Sequence, residues 1–186
     1  MTVLAQASKL LRMVSVPRGL IALTALALLA GCKAAPDKFA PECPDLKVIR
    51  DAADLSRSRG QGTDVTDRIV DARITGVAGA CKDGSKGAIN TPLTVTFQAT
   101  RGPAAEGRTV ALPYLVTVVR GGEIIDQQAY TINAAFPPNV DSMSVPGDEV
   151  FLVFPASQNG SAADYTIYVS FRLTPEELAY NRRKRR

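Results

Sequence analysis

The sequence predicts a mainly β protein: an antiparallel β-sandwich, immunoglobulin-like in general plan, with a short C-terminal helix. Three observations carry this. Leu93, Val95, Phe97 and Ala99 alternate with Thr94, Thr96 and Gln98, the period-two pattern of a half-buried strand. Turn signals rich in glycine separate this segment from others like it. No long amphipathic helix pattern lies between any two segments, and strands without crossover helices pair antiparallel. A small closed barrel is the alternative arrangement.

The expected elements follow in order. Residues 47–49 form a short first strand, and 68–80 a second with Val70, Ala72 and Ile74 on one side. The Leu93–Ala99 alternation is the third. Residues 109–119 and 123–133 flank Arg120-Gly121-Gly122, a hairpin signal because glycine accepts the positive φ of tight turns. From Tyr114 to Val119 both faces are largely apolar, which suits a central strand with its outer face partly covered. Residues 150–154 and 165–173 complete about seven strands, the number a sandwich of this kind uses. Thr174-Pro175-Glu176-Glu177-Leu178 then opens a helix, with a capping threonine, proline at the first position and glutamate three after the cap. Leu178 is its expected packing contact.

Composition narrows the chemistry. The chain has 22 Lys and Arg against 18 Asp and Glu, and no histidine or tryptophan. Lys9, Arg12 and Arg18 lie in the N-terminal segment, and five more basic residues form the final Arg182-Arg183-Lys184-Arg185-Arg186. The body between them is therefore acidic on balance, which argues against nucleic acid as a partner. Without histidine there is no Ser-His-Asp or Cys-His dyad and no imidazole metal site. No pattern calls for a cofactor.

Residues 1–31 carry those three basic residues, no acid, and an apolar run from Gly19 to Ala30 that ends in small residues. This is the plan of a secretory signal peptide, headed by Met1 or by Met13. A membrane-spanning helix needs roughly 20 apolar residues, and here the run stops at Gly31-Cys32-Lys33. Residues 32–42 read as a tether, 43–181 as the folded domain and 182–186 as a basic tail. Fully extended, the tether reaches roughly 33 Å.

Export places the cysteines in an oxidising compartment, where Cys43 and Cys81 are expected to form a disulfide; two unrelated buried thiols are the other reading. The bridge closes 38 steps of chain, worth roughly 3 to 4 kcal/mol in the chain-entropy model. Strict alternation from Ile74 puts Cys81 on the wrong face for a core-facing bond. A bulge at Gly76 or Gly79 would correct it.

Three loops invite functional readings. The stretch from Arg57 to Arg68 has two glycines and the pair Asp64 and Asp67; an ion cradle is one reading, turns and caps the favoured one. Lys82 to Gly87 reads as a plain connection. Phe136, beside two prolines, is either a partner contact or, as favoured, packed against the sheet end. The basic tail, Arg182, Arg183, Lys184, Arg185 and Arg186, either touches an anionic surface, each charge adding on the order of 1 kcal/mol, or is a solvated end.

Leu29-Ala30-Gly31-Cys32 resembles a bacterial lipobox. The resemblance implies diacylglycerol on the Cys32 sulfur, cleavage before it and acylation of its amine. Two or three chains make a firm anchor where one does not, and Cys32 becomes the unpaired third cysteine. Lys33 stands where an aspartate would resemble an inner-membrane retention signal, so the outer membrane is favoured over the inner. The order of further motifs is similar to an uncharacterised alphaproteobacterial lipoprotein family. They are Cys43-Pro44, Gly60-Gln61-Gly62 with Thr63 to Asp67, Gly79-Ala80-Cys81, Arg101 to Ala105, Leu112-Pro113-Tyr114 and Leu173 to Arg182. That resemblance implies a group and no activity. The expected function is a lipid-anchored envelope protein facing the periplasm and acting by binding or structure, with an envelope protein or anionic polymer as partner. The alternative is a carboxylate-dependent hydrolase of cell-wall sugars. It requires two acids roughly 5 to 9 Å apart, and no sequence spacing shows such a pair.

Overall fold

In the computed structural model, the described residues are 41–60, 64–155 and 161–184. Their strands are β1 (Asp45–Val48), β2 (Asp54–Ser58), β3 (Arg68–Gly79), β4 (Lys82–Asp83) and β5 (Ala88–Arg101). The rest are β6 (Thr109–Arg120), β7 (Glu123–Ala135), β8 (Ser142–Pro146), β9 (Val150–Pro155) and β10 (Tyr165–Phe171), followed by helix α1 (Pro175–Lys184). One sheet has the order β1-β10-β6-β7; in the other, β2 pairs β3, β3 pairs β5, and β5 also pairs β4, β8 and β9. The expected mainly-β sandwich with one C-terminal helix is the observed fold. Every pairing of these strands is antiparallel except β1 with β10.

All seven expected strands are present. The three additional ones, β2, β4 and β8, are short, and β2 and β8 each bury a single apolar residue, Leu55 and Val145. One inward side chain in a polar run makes no period, so such edge strands leave little trace in a sequence.

The core forms where inward residues of the two sheets meet. From β5 come Ile89, Leu93, Val95, Phe97 and Ala99; from β6, Leu112, Tyr114, Val116 and Val118; from β10, Ile167, Val169 and Phe171, all buried. Phe97 bridges the sheets, its ring centroid 5.2 Å from Tyr114 and 5.5 Å from Phe171 in tilted geometry. Burying such a ring contributes about 1.5–3 kcal/mol. As expected for β6, its outer face is partly covered: Leu115 and Val119 are half-buried and Thr117 is buried, accepting a hydrogen bond from Gln127 at 2.9 Å.

The expected bulge is present in β3. Ile74 lies opposite Phe97 and Gly76 opposite Thr96, so Thr75 is an extra residue without a register partner. An inserted residue switches the side-chain parity of all that follows. Val70, Ala72 and Ile74 are buried before it; after it Val77 and Cys81 pack against the core. Cys81 is bonded to Cys43 across a Cα–Cα distance of 5.6 Å, and the buried Thr91 hydroxyl lies 3.5 Å from its sulfur as donor. Because Cys43 precedes β1 and Cys81 follows β3, the bond ties one sheet to the other. Gly79 makes room for this approach: a Cβ there would stand 3.3 Å from Leu46 Cδ1 and 3.2 Å from the Pro92 carbonyl.

Helix α1 covers the edge at β2. Its start has the expected reciprocal cap: the Glu177 amide donates to Thr174 Oγ1 at 3.2 Å, and the Thr174 amide donates to Glu177 Oε2 at 2.8 Å. Its buried residue is not the expected Leu178, which is half-buried, but Asn181. Asn181 Nδ2 donates to the carbonyls of Asp51 at 3.0 Å and Asp54 at 2.7 Å. An edge strand presents unpaired carbonyls that need donors, which a leucine cannot supply. The helix also runs past the expected domain boundary at residue 181, so Arg182, Arg183 and Lys184 form its last turn. The leader at 1–31, Cys32, most of the tether and Arg185 and Arg186 lie outside the described residues.

Peptide mapping without reductant should recover the Cys43 and Cys81 peptides as one species, and reduction should lower stability by roughly 3 to 4 kcal/mol in denaturant titrations. Asn181→Ala should cost about 1–3 kcal/mol by leaving two carbonyls without their donor. Amide exchange should then accelerate in α1 and leave β5 and β6 protected.

Candidate functional site

Helix periodicity decides what surrounds α1. Positions 176, 180 and 183 share one side, three and four residues apart, and 177, 181 and 184 share the next. The first set, with Arg57 of β2 and Arg68 at the start of β3, lines a groove of about 560 Å³. On the other side of the helix Lys184 and Asn181 join Arg50, Asp54 and Arg73 around a second groove of about 420 Å³. The basic last turn of α1 thus supplies one cation to each groove.

Four of the seven cations in this region are committed to acids. Arg57 Nε lies 2.9 Å from Glu177 Oε1 in a partly buried pair. Arg73 Nε lies 2.5 Å from Asp54 Oδ1, and this hydrogen bond raises the guanidinium above its ordinary pKa. Arg182 Nε lies 3.2 Å from Asp51 Oδ2. Arg68 Nε approaches Asp71 Oδ2 at 3.4 Å, yet that nitrogen is buried without a hydrogen-bond partner among the described residues. Arg50, Arg183 and Lys184 make no ion pair with a described residue.

The acids of the first groove are placed for binding or structure. Glu177 serves the helix cap and Arg57. Glu176 is held below the ordinary carboxylate range by its own backbone amide and then by the Thr174 hydroxyl. A glycosidase general acid needs the opposite, a carboxyl kept protonated by a raised pKa. Charge pairing with an anion is what this surface can do chemically.

Among the described residues, the other sites singled out in the sequence have structural roles; Gln61, Gly62 and Thr63 of the loop at 57–68 lie outside them. Asp64 caps a 3-10 turn (Val65–Asp67), and the hydrogen bond from the Thr66 amide, then the Thr66 hydroxyl, lowers its pKa. Phe136 is buried, and Arg108 holds the loop behind it by donating to the carbonyls of Phe136, Pro137 and Val140. Lys82 to Gly87 contains β4 and a 3-10 turn (Ser85–Gly87). Among the described residues no cluster of His, Cys, Asp or Glu suits a metal, and no helix is long and apolar enough to cross a membrane.

Of the tail residues, Arg182, Arg183 and Lys184 belong to the site. Sequence reasoning missed Arg50, Arg57, Arg68 and Arg73 as their neighbours. Isolated arginines in short polar segments carry no motif, and only the docking of α1 on the β2 edge gathers them. Compared with known proteins, the chain matches no family model, no curated protein and no solved structure.

Proposed function

We propose that this is a lipid-anchored protein of the bacterial cell envelope, facing the periplasm, that binds an anionic envelope polymer or surface through the cationic side of α1. The observation that carries the binding role is the uncommitted charge of Arg183 and Lys184, one beside each groove, at the helix end that already favours cations. Neither side chain makes an ion pair with a described residue, which leaves both available to a partner.

The anchor rests on the sequence. A signal-peptide pattern ends at Leu29-Ala30-Gly31-Cys32. The bond between the other two cysteines leaves Cys32 free for acylation. Lys33 favours the outer membrane. The acyl chains would keep the protein at the bilayer surface, while the cationic side selects what it holds there.

Cys32→Ser should move the protein from the membrane to the soluble fraction and remove the acyl mass from its N-terminus; retention with an unacylated N-terminus would refute the anchor. Arg183→Gln with Lys184→Gln should leave thermal stability unchanged and weaken binding to immobilised lipopolysaccharide or to phosphatidylglycerol vesicles by about tenfold or more, each charge contributing on the order of 1 kcal/mol. The residual binding should depend less on salt. Equal binding by the two proteins at low salt would overturn the proposal. This substitution is a cleaner test than deleting residues 182–186, which also removes the Arg182–Asp51 pair.

A further inference from the structure

Four large apolar side chains stand out in water on the half of the domain where the tether joins it. Ile124 and Ile125 are 66% and 56% exposed, and Phe151 and Val153 are 70% and 65% exposed. We propose that this end of the sandwich seats on the lipid bilayer, with Ile124, Ile125, Phe151 and Val153 as its contact. The inference rests on the lipid anchor proposed at Cys32 and assigns the surface that the anchor brings to the membrane.

Strand register locates the patch. Asp45, Thr166, Val119 and Ile124 are consecutive partners across β1, β10, β6 and β7. At about 4.8 Å between strands, Ile124 lies roughly 14 Å from Asp45, which is two residues after Cys43. In the other sheet Lys82, Asn90 and Val153 are partners across β4, β5 and β9, and Lys82 follows Cys81. Both apolar pairs are thus near the level of the Cys43–Cys81 bond, where the chain from the tether arrives. An aromatic contact links them across the sheets. The Phe154 ring lies 4.9 Å from Tyr165, and Arg120, opposite Glu123 at the root of the β6–β7 hairpin, stands 5.0 Å over the same Tyr165 ring.

The exposure follows from local structure. Gly121 and Gly122, at φ of 58° and 87°, close the hairpin tightly. A register shift then leaves Ile125 without a partner on β6, since Val119 faces Ile124 and Val118 faces Asp126. A bulge of this kind re-aims the side chains beside it. In β9, Phe151 and Val153 alternate with the buried Val150, Leu152 and Phe154, so they point away from the core.

Lipid is the occupant that fits. From Cys32 to Pro41 the extended chain reaches about 30 Å, so an acylated Cys32 confines this end to the membrane at high effective concentration. Two exposed pairs lie nearby, Arg120 with Asp164 at 3.5 Å and Lys47 with Asp45 at 3.2 Å.

The absence of tryptophan makes the test direct. Ile125→Trp, Phe151→Trp and, as a reference, Val65→Trp would be made singly in the mature lipidated protein. Val65, 76% exposed, precedes the far end of β3 from Cys81. Each protein would be reconstituted into phosphatidylethanolamine–phosphatidylglycerol vesicles, with the N-terminal acyl mass and the Cys43–Cys81 bond verified on the same sample. The expected result is blue-shifted emission quenched by acyl-brominated lipid at positions 125 and 151, with red, unquenched emission at 65. Unquenched emission at 125 and 151 in acylated protein would overturn the inference and leave the anchor standing; loss of the acyl mass itself would refute the anchor. A blue shift that brominated lipid does not quench would place protein, such as a second copy of this chain, on the patch and also overturn the inference.

Discussion

Thr75 has no partner on β5, and the parity change it introduces decides which way the last third of β3 faces. Without that extra residue Cys81 would point away from the core and Cys43 would have nothing to bond. With it, the two sheets are joined covalently at the edge where β1 lies against β3. Gly79 provides the space, since any side chain there would press on Leu46 and on the Pro92 carbonyl. Thr91, buried beside Cys81, spends its hydroxyl on the same sulfur.

The two long edges of the sandwich are finished differently. On one, the disulfide and α1 close the gap, and Asn181 supplies the donors that the carbonyls of Asp51 and Asp54 require. A polar anchor outperforms an apolar one here because the surface being covered is backbone and not side chain. On the other, β7 and the β8–β9 pair end their sheets, and residues 123–129 of β7 are exposed. An uncovered edge is tolerated when charges and bulges interrupt it, and β7 carries Glu123, Asp126 and a bulge at Ile125.

Function follows this asymmetry. Covering β2 with a helix of basic C-terminal sequence brings arginines from two strands and a turn beside Arg183 and Lys184, and most of those arginines are paired with acids of the same region. What remains unpaired among the described residues is a small positive charge at Arg50, Arg183 and Lys184 on a body whose total is acidic. The uncovered side instead exposes the apolar groups Ile124, Ile125, Phe151 and Val153. On the proposed reading, a protein anchored through Cys32 would present one surface to lipid and another to an anionic partner.

The long strands, the tight hairpin at Gly121-Gly122, the capped helix at Thr174 and the need for a bulge at Gly76 or Gly79 were all legible in the sequence; that the shift falls between Ile74 and Gly76 was not. Each depends on local periodicity or on backbone chemistry that a few neighbouring residues express. The same locality kept β2, β4 and β8 hidden, because short edge strands owe their existence to a partner's unpaired backbone and not to their own pattern. Leu178 was the reasonable packing choice for an amphipathic helix, and Asn181 took that role because α1 docks on carbonyls. The basic tail was legible as charge, whereas the pairing of Arg182 with Asp51, and the lack of a described partner acid for Arg183 and Lys184, was settled by which acids α1 meets. Only tertiary structure joins residues 50, 57, 68 and 73 to residue 183, since electrostatic and packing neighbours are chosen in space, where sequence separation carries no weight.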